Sequence, residues 1–250
     1  MPAKTKRQHP ARPNLSPVVT RTTVGDHVYE QLRSALMWGQ FEPGQSITID
    51  SLAQEMGTSH MPVREALRRL AVDNGVDITR TGTARVPEVS RERLDDICRA
   101  RIEIEGLAVE LATLKASDAD LDRLSVLMRD HEAAAASGEV YEMLHRNHIF
   151  HFSLYDLARS DVLSRFISVL WLQMGPYMRL LTHSIAGRYG APTAPPEENR
   201  HPAIMKALRN KDAAFARQLL GEDIRISQHM LQSICAARLD EETISDRPLM

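Results

Sequence analysis

The sequence predicts a mainly α-helical chain in which a small winged helix-turn-helix domain precedes a larger all-α bundle. Two short helical segments joined by a glycine-containing turn, followed by two short β-prone segments, predict the first domain. From Ser90 onward the apolar residues recur only at helical spacing, which predicts the second domain. The expected parts are a disordered basic tail at 1–22, the winged domain at 23–89, the all-α domain at 90–237 and a C-terminal tail at 238–250.

Two helices are expected to open the winged domain. The first is predicted from Val24 to Trp38, because its apolar residues share one face. The second is predicted from Ile49 to Met56, with Asp50 or Ser51 accepting the free amides of its first turn. Gly57 then ends this helix and provides the turn before the next one.

The third helix is expected to be the recognition helix. It is predicted to run to about Val72, because Thr58 and Ser59 form an N-cap pair and Pro62 fits the first turn of a helix. A small hairpin is expected after it, with strands at 76–80 and 84–89 and a tip at 81–83.

The N-terminal end of a recognition helix is where side chains meet base edges and backbone amides face phosphates. Arg64 is therefore the expected bidentate partner of a guanine, whereas Thr58 and Ser59 are expected to hold phosphates. Arg68 is expected to follow the DNA backbone, and Arg85 flanks a hairpin tip small enough to approach a groove. The alternative is that Arg64 pairs with Glu55 or Glu65 on a solvated face of an ordinary helical domain.

The charge distribution supports DNA binding by the tail. Residues 1–22 contain five basic residues and no acidic residue, although the whole chain has a net charge of −2. A short basic segment is a typical electrostatic footprint for nucleic acid. The alternative is a disordered leader that only improves solubility, which the four prolines among the first seventeen residues also fit.

Composition excludes several classes. A chain of 250 residues with 43% hydrophobic and 26% charged residues is neither collagen-like nor wholly disordered. Cys98 and Cys235 are too few for a disulfide framework, and the N-terminus lacks the pattern of a signal peptide, so we expect a cytoplasmic protein. No stretch approaches the roughly 18 consecutive apolar residues of a membrane helix, so no membrane role is expected.

Six helices are predicted in the second domain. The fourth is expected to kink at Pro176, and the only long internal loop is expected between Gly187 and Asn199. The predicted ranges are about 91–115, 119–136, 139–158, 161–184, 200–210 and 212–236.

Several polar residues interrupt the apolar faces of these helices. Asn147 and His151 lie one helical turn apart, and His201 and Asp223 lie on the apolar faces of the last two helices. Inward histidines and carboxylates on facing helices can build a metal site in a bundle. The alternative is a set of core residues that satisfy one another by hydrogen bonds, without a metal.

Residues 49–70 resemble the recognition segment of GntR-superfamily transcription factors, above all in the run Pro62-Val63-Arg64-Glu65-Ala66-Leu67. The all-α second domain is similar to the FCD domain of the FadR subfamily, so the resemblance spans about 24–236. It implies that Arg64 reads bases, that Ser59 and His60 lie at the DNA surface and that Gly82 enters the minor groove. His60 stands where many members have arginine, which implies a different operator preference.

The same resemblance implies a metal between an Asp-x-x-x-His pair and two further histidines. Here Asn147 takes the place of the aspartate, His151 and His201 match two histidines, and Asp223 takes the place of the third. Such a donor set suits zinc, nickel or manganese. In the family the arginine matching Arg101 lines the effector pocket. A guanidinium suits a carboxylate ligand, although an ion pair between Arg101 and Glu105 within the helix is the alternative.

The sequence therefore predicts a cytoplasmic, dimeric transcriptional repressor that binds a palindromic double-stranded DNA operator and is released by a small carboxylate effector. Dimerisation is expected because two recognition helices need half-sites about one helical turn apart. One alternative is a regulator that senses the metal itself. The other is a metal-dependent enzyme, which we do not expect because the sequence shows no base or nucleophile motif beside the cluster.

Overall fold

The computed structural model describes residues 23–80, 82–187 and 199–245. The predicted basic tail, the hairpin residue Thr81 and most of the predicted long loop lie outside these residues. The winged domain contains α1 (Val24–Met37), β1 (Ser46–Ile47), α2 (Ile49–Glu55), α3 (His60–Val72), β2 (Asp77–Ile78) and β3 (Ala84–Arg85). The second domain contains α4 (Arg91–Lys115), α5 (Asp118–Ser137), α6 (Val140–Asp156), α7 (Asp161–Gln173), α8 (Gly175–Gly187), α9 (His201–Arg209) and α10 (Ala213–Ser245).

Local signals set the helix starts of the winged domain. Thr23 caps α1 in a capping box with Asp26. The prediction that Asp50 or Ser51 caps α2 is wrong, because the Thr48 side chain accepts the amide of Ser51 instead. The helix therefore starts one residue after its cap, as the N-cap rule requires.

The predicted two-stranded hairpin is part of a three-stranded antiparallel sheet in the order β1-β3-β2. The sequence analysis missed β1, whose Ser46 and Ile47 pair with Arg85 and Ala84. The two strands that were predicted are shorter than expected. Buried side chains on α1, α3 and β3 form the core of this domain, so α3 is fixed along one side.

Helix α4 lies at the centre of the second domain, where it packs against α6, α7, α9 and α10. The prediction of one kinked helix over 161–184 is wrong, because α7 ends at Gln173 and α8 begins at Gly175. Pro176 has no amide to continue the hydrogen bonds of α7. A Cβ on Gly175 would lie 2.1 Å from the carbonyl oxygen of Leu36, so this glycine allows the close approach of α1. Helix α10 also extends to Ser245, beyond the predicted end near 236.

The two domains are packed against each other through α7 and α8. Leu172 of α7 is a buried member of the winged-domain core. Arg179 of α8 donates to Glu42 at 2.6 Å, and the Tyr177 hydroxyl donates to the carbonyl of Ser90 at 2.9 Å. Within the described residues, no helix is both long and apolar enough to cross a membrane.

Candidate functional site

The recognition helix α3 is anchored by one apolar face. Its buried residues are Val63, Ala66, Leu67 and Leu70. This spacing turns Arg64 and Arg68 to the opposite, exposed face. Ser59 is the N-cap, but its side chain makes no capping hydrogen bond. The first turn of α3 therefore presents free amides and an uncommitted hydroxyl to solvent.

The side chains predicted to contact DNA differ in whether other protein groups already bind them. Arg64 and Arg68 make no hydrogen bond or ion pair with the described residues, so the pairing of Arg64 with Glu55 or Glu65 is not observed. His60 is exposed and lies 3.3 Å from the carboxylate of Asp50. Thr58 is half-buried, whereas Ser59 is exposed.

Gly82 and Arg85, the two wing residues predicted to contact DNA, differ in their surroundings. Gly82 has a φ of +85°, and a Cβ added there would meet none of the described residues beyond its chain neighbours within 4 Å. The tip is therefore open to an approaching groove, and only glycine adopts this backbone without strain. Arg85 donates to the Gly44 carbonyl and to Glu88, both at 2.8 Å. Its side chain thus already has partners within the domain.

A buried carboxylate lies at the centre of the second domain. Glu105 of α4 is fully buried, and Arg101, one turn earlier, donates to its two oxygens at 2.6 and 3.2 Å. Tyr155 of α6 donates to the same carboxylate at 2.5 Å, and Trp171 of α7 donates at 3.1 Å. Every partner is placed as a donor, so the carboxylate oxygens act as acceptors only. The ion pair between Arg101 and Glu105, which was the alternative to effector binding by Arg101, is present, and Nη1 of Arg101 has no hydrogen-bond partner in the described part of the chain.

Tyr155 links this carboxylate to the predicted metal ligands. Its hydroxyl proton is committed to Glu105, so its oxygen accepts from Nδ1 of His151 at 3.2 Å. Nδ1 of His151 therefore carries the ring proton, and the lone pair of its Nε2 accepts from Nε2 of His201 at 3.1 Å. Such an outer hydrogen bond fixes the tautomer of a metal-binding histidine.

Three of the four predicted metal ligands converge on one point. His151 Nε2 lies 3.1 Å from His201 Nε2 and 3.6 Å from an Asp223 oxygen, and that oxygen lies 4.0 Å from His201 Nε2. All three donor atoms lie within 4.8 Å of one another. Asn147 is half-buried and makes no hydrogen bond with the residues that the structure describes.

Burial sets the protonation of the three converging groups. It lowers the pKa of His201 to about 4 and, with the neighbouring His201 and Arg101, holds the pKa of His151 well below its usual value. It also raises the pKa of Asp223 to about 6, against the opposing effect of Arg101. At neutral pH the imidazoles of His151 and His201 are therefore neutral and Asp223 is an ionised carboxylate. These are the forms that bind metals.

The sequence analysis missed three residues of this site. Tyr155 and Trp171 bond to Glu105, and the ring of His131 on α5 lies 4.9 Å from that of His201. Nδ1 of His131 is buried and has no partner among the described residues. Tyr155 follows His151 by four residues, and this helical spacing was a signal that could have found it.

Trp171 also connects the buried ion pair to the winged domain. Its ring packs against both apolar cores, and the guanidinium carbon of Arg101 lies 4.6 Å from its centroid. One side of α7 therefore touches the buried ion pair.

The next two residues of α7 touch the end of the recognition helix. Leu172 is 1% exposed, and a Cβ on Gly75 would lie 2.7 Å from one of its methyl carbons. Gln173 donates to the carbonyl of Asp73, the C-cap of α3, at 3.2 Å. Residues 171–173, named here the junction segment, therefore join the buried ion pair to α3.

Comparison with known proteins agrees with this architecture. Residues 24–86 match the gntR family of bacterial regulatory proteins, and residues 96–225 match the FCD domain. The chain belongs to the gntR family. The predicted GntR membership and FCD domain are thus confirmed, whereas membership of the FadR subfamily stays a prediction.

Relatives and solved structures point the same way. The transcriptional regulator McbR of Escherichia coli K12 is 32% identical over 78% of this chain and 86% of its own length. The uncharacterized regulator YdhC of Bacillus subtilis is 28% identical over 76% of this chain and 83% of its own length. The structure of E. coli McbR/YncC matches with a TM-score of 0.77 at 29% identity, covering 84% and 98% of the two chains. The chain is accordingly a transcriptional regulator rather than an enzyme.

The buried carboxylate gives the first testable prediction. Glu105→Gln removes the carboxylate that pairs directly with the buried Arg101 guanidinium, so we expect a loss of about 3–5 kcal/mol in the free energy of unfolding. Glu103→Gln is the matched control on the same helix, because its pair with Arg217 is exposed and such pairs contribute about 0–1 kcal/mol. Urea unfolding of both variants measures the difference. Equal losses would contradict the assignment of Glu105 as the central charge.

Proposed function

We propose that this gntR-family regulator is a dimeric repressor whose α3 reads a palindromic operator and whose second domain binds a small carboxylate effector. The observation that carries the proposal is the first turn of α3, where Arg64 is exposed and without a partner among the described residues, beside the free hydroxyl of Ser59. An exposed guanidinium at that end of a recognition helix suits bidentate contact with guanine.

The proposed DNA contacts fall into two groups. Arg64 and His60 face base edges. Because many family members have arginine at the position of His60, the histidine shifts the preferred operator sequence. Thr58, Ser59 and Arg68 hold the phosphate backbone, while Gly82 enters the minor groove. The basic tail adds further phosphate contacts. Arg85 contributes through Nη1, because its bonds to Gly44 and Glu88 use only Nε and Nη2. A two-fold dimer supplies two such surfaces for two half-sites.

The effector is proposed to bind beside Arg101, through the Nη1 atom that the described residues leave unbonded. A ligand carboxylate there shares the guanidinium with Glu105 and weakens the hold of Arg101 on that side chain. Trp171 bonds to the same Glu105 oxygen as Nε of Arg101, so the change reaches the junction segment and then the end of α3. Release from the operator follows as a shift between two arrangements of α3, which the effector must bind with different affinities.

A divalent metal fits the cluster of His151, His201 and Asp223. In a tetrahedral site with ligands about 2.0–2.1 Å from zinc, two donor atoms lie about 3.3 Å apart, and the observed separations are 3.1–4.0 Å. The lone pair of His151 already faces the cluster, and its tautomer is held by Tyr155. We propose that zinc, nickel or manganese is held here, with Asn147 as a neutral fourth donor. A bound cation supplies positive charge that attracts an anionic effector.

A second candidate function is a regulator for which the metal itself is the signal. The convergence of three donors on one point favours it. The two functions differ in one measurable respect. A metal-responsive regulator changes its operator affinity with metal alone, whereas the proposed function requires the organic effector.

Arg64 tests the DNA-binding surface. We expect Arg64→Ala to cost about 1–3 kcal/mol on the operator while weak binding to unrelated DNA is largely retained, since bidentate base contacts carry specificity. Fluorescence anisotropy with both DNAs gives the two affinities. Arg99→Ala serves as a control, because Arg99 is exposed on α4 and pairs only with Asp96. Equal loss on both DNAs would make Arg64 a phosphate contact, and no loss would refute the proposed docking.

Variants of the donor set test the metal site. We expect Asp223→Ala to lose the metal, and Asp223→His to retain it by providing a nitrogen donor. Asn147→Asp is expected to bind more tightly, because an anionic oxygen replaces a neutral one. Elemental analysis of the purified proteins gives the stoichiometry, with the exposed Asp122→Ala as control. If the wild type is metal-free and only the double variant Asn147→Asp, Asp223→His gains metal, the proposed site is wrong.

A further inference from the structure

A second, separate site is suggested by a crevice between the two domains. It has a volume of about 350 Å³ and lies between α1 and α3 of the winged domain and α7 of the second domain. This volume is within the range of small-molecule pockets. Its lining contains three arginines from three different helices, Arg33 of α1, Arg69 of α3 and Arg165 of α7, and one acidic residue, Asp73.

The three arginines are unequally occupied by the protein. Arg69 is paired with Asp26 at 2.8 Å and lies over the ring of Tyr29. Arg33 donates to the hydroxyl of Ser168, and its other nitrogen lies 3.6 Å from Glu30. Arg165 is exposed and makes no hydrogen bond or ion pair with the described residues. The crevice therefore retains donors that the described protein groups leave free.

The remaining lining identifies the chemistry of a ligand. The hydroxyls of Tyr29 and Ser168 also line it, the first donating to Asp73 and the second accepting from Arg33, whereas Leu172 and Val169 supply apolar walls. The formal charge of the lining is +2, from three arginines and one aspartate. Asp26 and Glu30 lie against Arg69 and Arg33, so the charge left for an anion comes above all from Arg165, whose forked donors suit an oxyanion. Two or more oxygens on one small anion match donors that come from both domains.

We propose that this crevice binds a small multivalent oxyanion, either a phosphate-bearing or a polycarboxylate metabolite, at a site distinct from the Arg101 pocket. Such a ligand bridges α3 and α7. Because Leu172 and Asp73 belong both to this crevice and to the contact between α7 and the end of α3, the bound anion fixes the winged domain against the second domain. The crevice is therefore a second input to the position of the recognition helix.

Isothermal titration calorimetry of the full-length protein tests the proposal. The probes are inorganic phosphate and, separately, tricarballylate, each at constant ionic strength. We expect saturable binding of one probe per chain, weakened at least tenfold in Arg165→Ala and only in part restored in Arg165→Lys, which keeps the charge but loses the forked donor geometry. Tighter binding of phosphate indicates a phosphate-bearing ligand, and tighter binding of tricarballylate indicates a polycarboxylate.

Arg129→Ala is the matched control, because Arg129 is an exposed arginine on α5 that does not line the crevice. Its binding is expected to equal that of the wild type. Amide hydrogen exchange locates the ligand, with slower exchange expected around residues 69–73 and 165–172. No saturable binding, equal weakening in Arg129→Ala or protection confined to α6 and α9 would overturn the proposal. None of these outcomes depends on operator binding, so a failure here is distinguishable from a failure of the proposed function.

Discussion

The structure depends most on the need to compensate one buried charge. Glu105 is fully buried, and its compensation comes from three elements: Arg101 on its own helix, Tyr155 on α6 and Trp171 on α7. A buried carboxylate that loses a donor pays the desolvation cost of the lost bond. Helices α4, α6 and α7 are therefore held in register by one side chain as well as by apolar packing.

The Glu105 carboxylate orients side chains on two neighbouring helices, α6 and α7. Towards α6, it orients the Tyr155 hydroxyl and so the tautomer of His151, which turns a lone pair to His201 and Asp223. Towards α7, it holds Trp171, the first residue of the junction segment. A ligand that competes for Arg101 thus alters both the donor cluster and the support of α3. No further chain of residues is needed to couple the ion pair to α3, because α7 contacts both.

How much the sequence predicted depends on how local each signal is. The third helix was predicted almost to the residue, since Ser59, Pro62 and the spacing of its buried residues are all local signals. The two-residue strand β1 was missed because it is too short to show alternation and exists only through its pairing with β3. The break between α7 and α8 was taken for a kink, because Pro176 predicts an interruption but not whether one helix continues through it.

The residues of the buried site also divide into those that a local pattern predicts and those that only packing explains. His151, His201 and Asp223 were predicted as inward residues because each interrupts an apolar stripe. The role of Glu105 as the centre of the site was not predictable from its spacing to Arg101, which is common in solvated helices. Its three-helix environment arises from packing. The contact of Trp171 with two cores was not predictable, because it depends on how the domains meet.

The central claim is that the state of the buried ion pair reaches the recognition helix through α7. Amide hydrogen exchange of the variant Trp171→Phe tests it most directly, because phenylalanine retains an aromatic ring but loses the donor to Glu105. The account predicts faster exchange at the C-terminal end of α3, around residues 70–75, with the first two turns of α1 unchanged. Faster exchange confined to α4, α6 and α7, with α3 as in the wild type, would contradict it.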